Sequence, residues 1–124
     1  MKIRVYYEDT DTEGIVYHAN YIKFCDRART EYLLSLGIMP GVGDEYGFVV
    51  RHLEADYLAP ARLGDMLEVK NKLLEIKHSS FTLEQKIYKG EVEIFSLSIV
   101  LVYIKGMKIT RIPDDLREVF INIR

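Results

Sequence analysis

The segment VEIFSLSIVLVYI at 92–104 constrains the fold more than any other stretch of the chain. One side-chain phase reads Val92, Ile94, Ser96, Ser98, Val100, Val102, Ile104, and the other reads Phe95, Leu97, Ile99, Leu101, Tyr103. A strand with one face in water alternates apolar with polar residues. Here both phases are largely apolar. One face can cover an internal element, and the other needs a second layer that few remaining residues could build. A second subunit is the simplest cover, so a homo-oligomer is expected.

The other segments supply what the first face covers. NYIKFCDRARTEYLLSL at 20–36 places Tyr21, Phe24, Cys25, Ala28, Tyr32 and Leu36 at steps of three and four, the signature of a helix with one apolar stripe. Asn20 reads as its N-cap, with His18 as the other boundary residue, Gly37 as the glycine after its end and Pro40 as the block beyond. Around it lie period-two stretches: 2–8, where Tyr7 falls on the Ile3/Val5 face, then 48–59, 66–76 and 80–89. KGE at 89–91 reads as a hairpin turn, KIT at 108–110 as a short strand, and IPDDLREVFINIR as a terminal helix with two acids in its first turn. Strands joined by short links pair antiparallel. The expectation is an α+β fold, one domain over 1–124, with an antiparallel sheet curled around one long helix.

The totals close off other classes. The net charge of −2 and pI near 5.9 argue against nucleic acid and against anionic membrane surfaces as partners. No apolar run is long enough to span a membrane, and the N-terminus has no signal-peptide pattern. The one cysteine, Cys25, allows no internal disulfide and reads as a small buried hydrophobe, so a reducing, cytoplasmic setting is the default expectation. His18, His52 and His78 are too scattered to read as a metal site, and no glycine-rich phosphate loop or GxSxG elbow is present. No metal and no separate cofactor are expected.

The chemistry concentrates in EDTDTEGIVYHAN at 8–20. Asp9, Thr10 and Thr12 are turn formers, and the turn reading is the better one for Asp9. Gly14 permits a close backbone path, and Ile15, Val16 and Tyr17 draw the loop toward the core. Asp11 is thereby read either as a structural loop acid or as a half-buried base or nucleophile. His18 stands at the helix entrance, where backbone N–H groups lack intrahelical partners and favour a developing oxyanion. Tyr7, ahead of Asp11, is read either as a core aromatic or as a hydrogen-bond partner of the carboxylate or a water.

Tyr7 to Tyr21, Y-x-D-T-D-x-x-G-I-V-Y-H-A-N-Y, together with YLAPARLGD at 57–65 and the strand-rich remainder, resembles hotdog-fold acyl-CoA thioesterases of the 4-hydroxybenzoyl-CoA thioesterase family, and within it the YbgC-like bacterial branch associated with the Tol–Pal cell-envelope system. The resemblance implies a helix wrapped by an antiparallel sheet, assembled into dimers or tetramers. It implies that Asp11 is the catalytic carboxylate, as nucleophile or as general base. It implies that the helix beginning at His18 polarises the thioester carbonyl. It places the coenzyme A portion of the substrate near Lys77, His78, Ser79 and Ser80, with Arg62 as a further phosphate partner or an ordinary surface arginine. The implied reaction is hydrolysis of an acyl-CoA. The alternatives are an aromatic hydroxybenzoyl- or hydroxynaphthoyl-type CoA substrate, or a non-catalytic module that binds an acyl group or an acyl-carrier protein.

Overall fold

The computed structural model describes residues 1–39 and 46–123. β1 (Lys2–Arg4) leads through a 3-10 turn at Tyr7–Asp9 and a loop into α1 (His18–Ser35). Then come β2 (Tyr46–Tyr57), β3 (Met66–Ile76), β4 (Ser80–Lys89), β5 (Val92–Lys105), β6 (Lys108–Ile109) and α2 (Asp114–Ile121). The strands form one sheet in the order β1-β3-β4-β5-β2, with β6 added to β5, and every pairing is antiparallel. The sheet packs its inner face on α1, the expected α+β arrangement of a sheet around one long helix. No described helix is long and apolar enough to cross a membrane.

The helix and sheet meet through the apolar rows that period counting identifies. Tyr21, Phe24, Cys25, Ala28 and Leu33 are the buried residues of α1. They face Leu67 and Val69 of β3, Phe81, Leu83 and Ile87 of β4, and the buried row Phe95, Leu97, Ile99, Leu101, Tyr103 of β5. Gly37 closes the helix at φ +77. Its amide donates to the Leu34 carbonyl at 3.0 Å and that of Ile38 to Leu33 at 3.0 Å, a Schellman cap that only a left-handed residue after the helix can make. Pro40 and most of the 41–47 loop lie outside the described residues.

Three expectations are corrected. α1 starts at His18, the other boundary residue the sequence offers, and Asn20 is not its cap: the Asn20 side chain instead donates to the Asp9 carbonyl at 2.9 Å. Tyr7 does not continue the Ile3/Val5 face. The Asp9 carboxylate accepts the Tyr6 amide at 2.8 Å, which ends the extended path and turns the chain into the 3-10 turn, leaving Tyr7 84% exposed. The second face of β5 is less bare than its sequence implies, because Ser96, Ser98, Val100 and Ile104 are half-buried between β2 and β4. The exposed apolar surface lies instead along the edge strand β2, at Val49, Val50, Leu53 and Tyr57, and continues into Leu58.

Candidate active site

Asp9 ties the loop to the helix entrance. Its carboxylate is buried and holds the Tyr6 amide, and its carbonyl accepts the Tyr17 amide at 2.9 Å besides the Asn20 side chain. This is the turn role expected of it. Beyond it, residues 10–16 fold back on themselves. Asp11 donates its amide to the Ile15 carbonyl at 2.9 Å and accepts the Gly14 amide at 3.1 Å, with Gly14 at φ +77. Thr10 bridges Val16, Ile15 bridges Arg62, and the Val16 amide donates to Ala61 at 2.8 Å. The loop is therefore pinned to the 59–62 segment.

That closure fixes the Asp11 carboxylate. One oxygen accepts the Glu13 amide at 2.8 Å. The other has no protein donor among the described residues, and the side chain is half-buried. It opens on a cleft of about 390 Å³ lined by Asp11, Ile15, His18, Tyr21, Tyr57 and the 58–60 turn. The entrance of α1 forms the facing wall. Tyr17 is its N-cap in extended conformation, with no side-chain cap. The Asn20 amide closes back on the Tyr17 carbonyl at 2.8 Å. The amides of His18 and Ala19 keep no acceptor among the described residues. The positive helix end, with two unspent N–H groups, thus borders at His18 the cleft that Asp11 lines. The His18 imidazole itself is exposed and packs on Tyr17, with ring centroids 4.4 Å apart.

Two residues of this cleft were not singled out in the sequence. Tyr57, at the end of β2, donates its hydroxyl to the His18 carbonyl at 2.8 Å and lies edge-on to Tyr21 and Phe95. Tyr21 stacks on Phe95 at 5.2 Å, and its hydroxyl accepts the Ala61 amide at 3.0 Å. Burial is the main cause that pushes the Tyr21 phenol above its usual range. The Ala61 amide opposes it, and the charges of Tyr57, Asp11 and Asp65 add to the rise. Burial does the same to Tyr57. The aromatic signal was present, since both tyrosines fall in stretches that resemble the family. The chain contact that joins them, β2 against β5, is long-range and has no local signature.

The remaining expected site residues lie apart from the cleft. Tyr7 is not in its lining. Arg62 is exposed and borders the cleft only through its backbone bridge to Ile15; its amide donates to Asp65 at 2.8 Å. Lys77, His78 and Ser79 form the β3–β4 turn, and Ser80 opens β4, at the opposite end of the sheet. Ser79 accepts the Tyr103 amide, whereas the cleft sits beside Phe95, roughly 26 Å away along β5 at about 3.3 Å per residue. Within one copy of the chain these four, expected near the coenzyme A portion of the substrate, therefore lie far from Asp11. Cys25 is buried, and burial pushes its thiol up to about 12, so at neutral pH it stays protonated and is no nucleophile.

Residues 13–95 match the family model described as thioesterase superfamily. The acyl-CoA thioesterase YbgC of Helicobacter pylori (strain 26695) is 47% identical over 88 residues, which are 71% of this chain and 65% of that protein. The chain thus spans 65% of the length of that relative. The acyl-CoA thioesterase YbgC of Haemophilus influenzae is 34% identical over 127 residues, covering 98% of this chain and 93% of that protein. Among solved structures, a gentisyl-coenzyme A thioesterase superposes with a TM-score of 0.88 at 29% identity, covering 98% of both chains.

Proposed function

The chain belongs to the thioesterase superfamily, and from that premise we propose that it hydrolyses an acyl-CoA thioester to the free acid and coenzyme A. The observation that carries the reading is that the Asp11 carboxylate and the α1 entrance at His18, where the amides of His18 and Ala19 lack acceptors among the described residues, border one cleft. A thioester carbonyl seated against the helix entrance has its developing negative charge met by those amides. Removing one such donor costs about 3 kcal/mol of transition-state stabilisation in a comparable site. Asp11 activates the attacking group on the other side of the carbonyl. The test is thiol release from a panel of acyl-CoAs, read with a thiol-reactive dye. Release from none of them sinks the proposal and leaves the acyl- or carrier-protein-binding module as the surviving reading.

Because the donors are main-chain amides, His18→Ala is expected to lower kcat less than tenfold. Alanine keeps both N–H groups and the helix start. A loss of about a thousandfold in the same assay would assign the chemistry to the imidazole instead.

The working unit in this proposal is a homodimer joined along β2. This strand is 12 residues long and is a sheet edge. It also carries an apolar row that leaves Val50 49% exposed in the single chain. A bare apolar edge of that length invites antiparallel pairing with a second copy. A two-fold pairing lays the Tyr46 end of one β2 beside the Tyr57 end of the other. It brings the second copy's β3–β4 turn toward the first copy's cleft, which reconciles Lys77 to Ser80 with a coenzyme A site. Sedimentation at micromolar concentration is expected to give twice the 14.5 kDa chain mass. Leu53→Glu is expected to reduce it to the single-chain mass and to remove turnover; a wild-type chain that sediments as 14.5 kDa contradicts the pairing.

A second reading narrows the acyl group to an aromatic one. Tyr21 and Tyr57 give the cleft an aromatic wall, and a gentisyl-CoA thioesterase shares the fold at 29% identity. A kcat/KM for aryl-CoA above that for aliphatic acyl-CoA of similar size is the result that favours it.

A further inference from the structure

The Tyr21 hydroxyl has one unspent hydrogen-bonding group, and it lies in the wall of the Asp11 cleft. The ring is fixed. It is 3% exposed, stacks on Phe95, and meets Phe24 and Tyr57 edge-on. The oxygen accepts the Ala61 amide at 3.0 Å. Its own proton finds no acceptor among the described residues. A buried O–H without an acceptor is costly, so it calls for a partner that occupies the cleft. The Asp11 charge acts on this phenol, yet no direct hydrogen bond joins the two groups. The free oxygen of Asp11 opens on the same space. A water placed between them would receive a hydrogen bond from Tyr21 and give one to Asp11, with its second lone pair left for attack.

We infer that Tyr21 is the second anchor of the hydrolytic water and that Asp11 consequently acts as a general base, not as a nucleophile. This rests on the thioester hydrolysis proposed above. The water oxygen bonds to the carbonyl carbon while one water proton passes to Asp11. The carbonyl π pair moves to the oxygen held at the His18 and Ala19 amides. When that oxyanion collapses, the carbon–sulfur bond breaks and the thiolate takes the proton from Asp11. The products are the carboxylic acid and the coenzyme A thiol, and Asp11 returns to its starting charge. Tyr21 keeps its proton throughout. The groups that act on it are Asp11 from the loop, Tyr57 from β2 and Asp65 from the turn before β3, with His18 one helical turn earlier on its own element.

The test compares wild type, Tyr21→Phe and a chain carrying 3,5-difluorotyrosine at position 21, using thiol release from acyl-CoA across pH and thermal melting. Tyr21→Phe is expected to lower kcat about 10- to 100-fold with KM changed less than twofold. It also strips the Ala61 amide of its acceptor, so its melting point falls. The fluorinated phenol keeps ring shape and the Ala61 bond, and separates the two roles. It is more acidic, so donation ends at lower pH, and the alkaline limb of kcat moves down with it. A purely structural Tyr21 leaves that limb in place. A kcat and pH profile matching wild type in the fluorinated chain overturns the inference, even if Tyr21→Phe fails to fold. Should the wild-type chain release thiol from no acyl-CoA, the parent reading falls and this one with it. Activity in wild type with unchanged kcat in Tyr21→Phe overturns this inference alone.

Discussion

Asp11→Asn is expected to cut kcat by about 10²- to 10⁴-fold, the range that positioned general bases contribute, while the melting temperature stays within about a degree. The second half of that expectation makes the first informative. The structural work of Asp11 is done by its main chain, bonded to Ile15 and Gly14, and by one carboxylate oxygen on the Glu13 amide. The amide oxygen of asparagine can accept the same Glu13 hydrogen, so the loop keeps its closure. What asparagine removes is the charge and the basic oxygen that open on the cleft. KM should move little, because substrate affinity in this reading comes from the cleft walls and the coenzyme A portion. Thiol release measured alongside melting decides the matter. A variant that turns over near the wild-type rate takes Asp11 out of the mechanism. A variant that melts well below wild type makes the acid a structural one.

Why the pair Asp11 and His18 was legible, and the rest of the cleft was not, follows from distance along the chain. Both lie in one contiguous segment, so local rules suffice: a glycine that turns, an apolar trio that pulls inward, a helix that starts. The strands were legible for the same reason. The alternation over 66–76 and 80–89 matches β3 and β4 residue for residue. Of the two boundary residues the sequence offers, His18 and Asn20, the structure takes His18, because the cap is tertiary. The groups that hold the entrance are the Asp9 carbonyl and the Tyr17 backbone, and the residue that resembles a cap, Asn20, is drawn to Asp9. Tyr7 was misjudged because strand alternation carries no warning that a carboxylate two residues on will capture the Tyr6 amide. Tyr57 reaches the helix only through the register of β2 on β5, where it opposes Phe95. No local pattern encodes that pairing. The apolar excess of 92–104 raises the expectation of a second subunit, but in the single chain the exposed apolar row lies on the neighbouring strand β2.

Gln85→Leu is expected to destabilise the fold by about 3 kcal/mol, although it replaces a polar core residue with an apolar one of similar size. The residue occupies the missing place in the core row of β4, where Phe81, Leu83 and Ile87 take the other positions, and it is fully buried. Its carbonyl oxygen accepts from Arg29 at 2.7 Å. Its amide donates to the Cys25 carbonyl at 2.9 Å and to Asn71 at 2.8 Å. The side chain therefore joins α1, β3 and β4 at one point. Burial already pulls the Arg29 guanidinium below its usual range, with Asp26 opposing. Removing Gln85 leaves a poorly solvated cation with one acceptor fewer and strands the Asn71 oxygen. Each orphaned buried group costs about 1–3 kcal/mol, while apolar packing recovers only part of that loss. For a chain of 124 residues, about 3 kcal/mol corresponds to a fall in melting temperature of roughly 10 °C. Asn71→Leu in the same background should cost less than it does alone, because its partner is already gone. Additive losses in the double variant would show that the contacts act separately. A single Gln85→Leu that melts at the wild-type temperature would mean that the helix is held to the sheet by apolar packing, with no net contribution from this network.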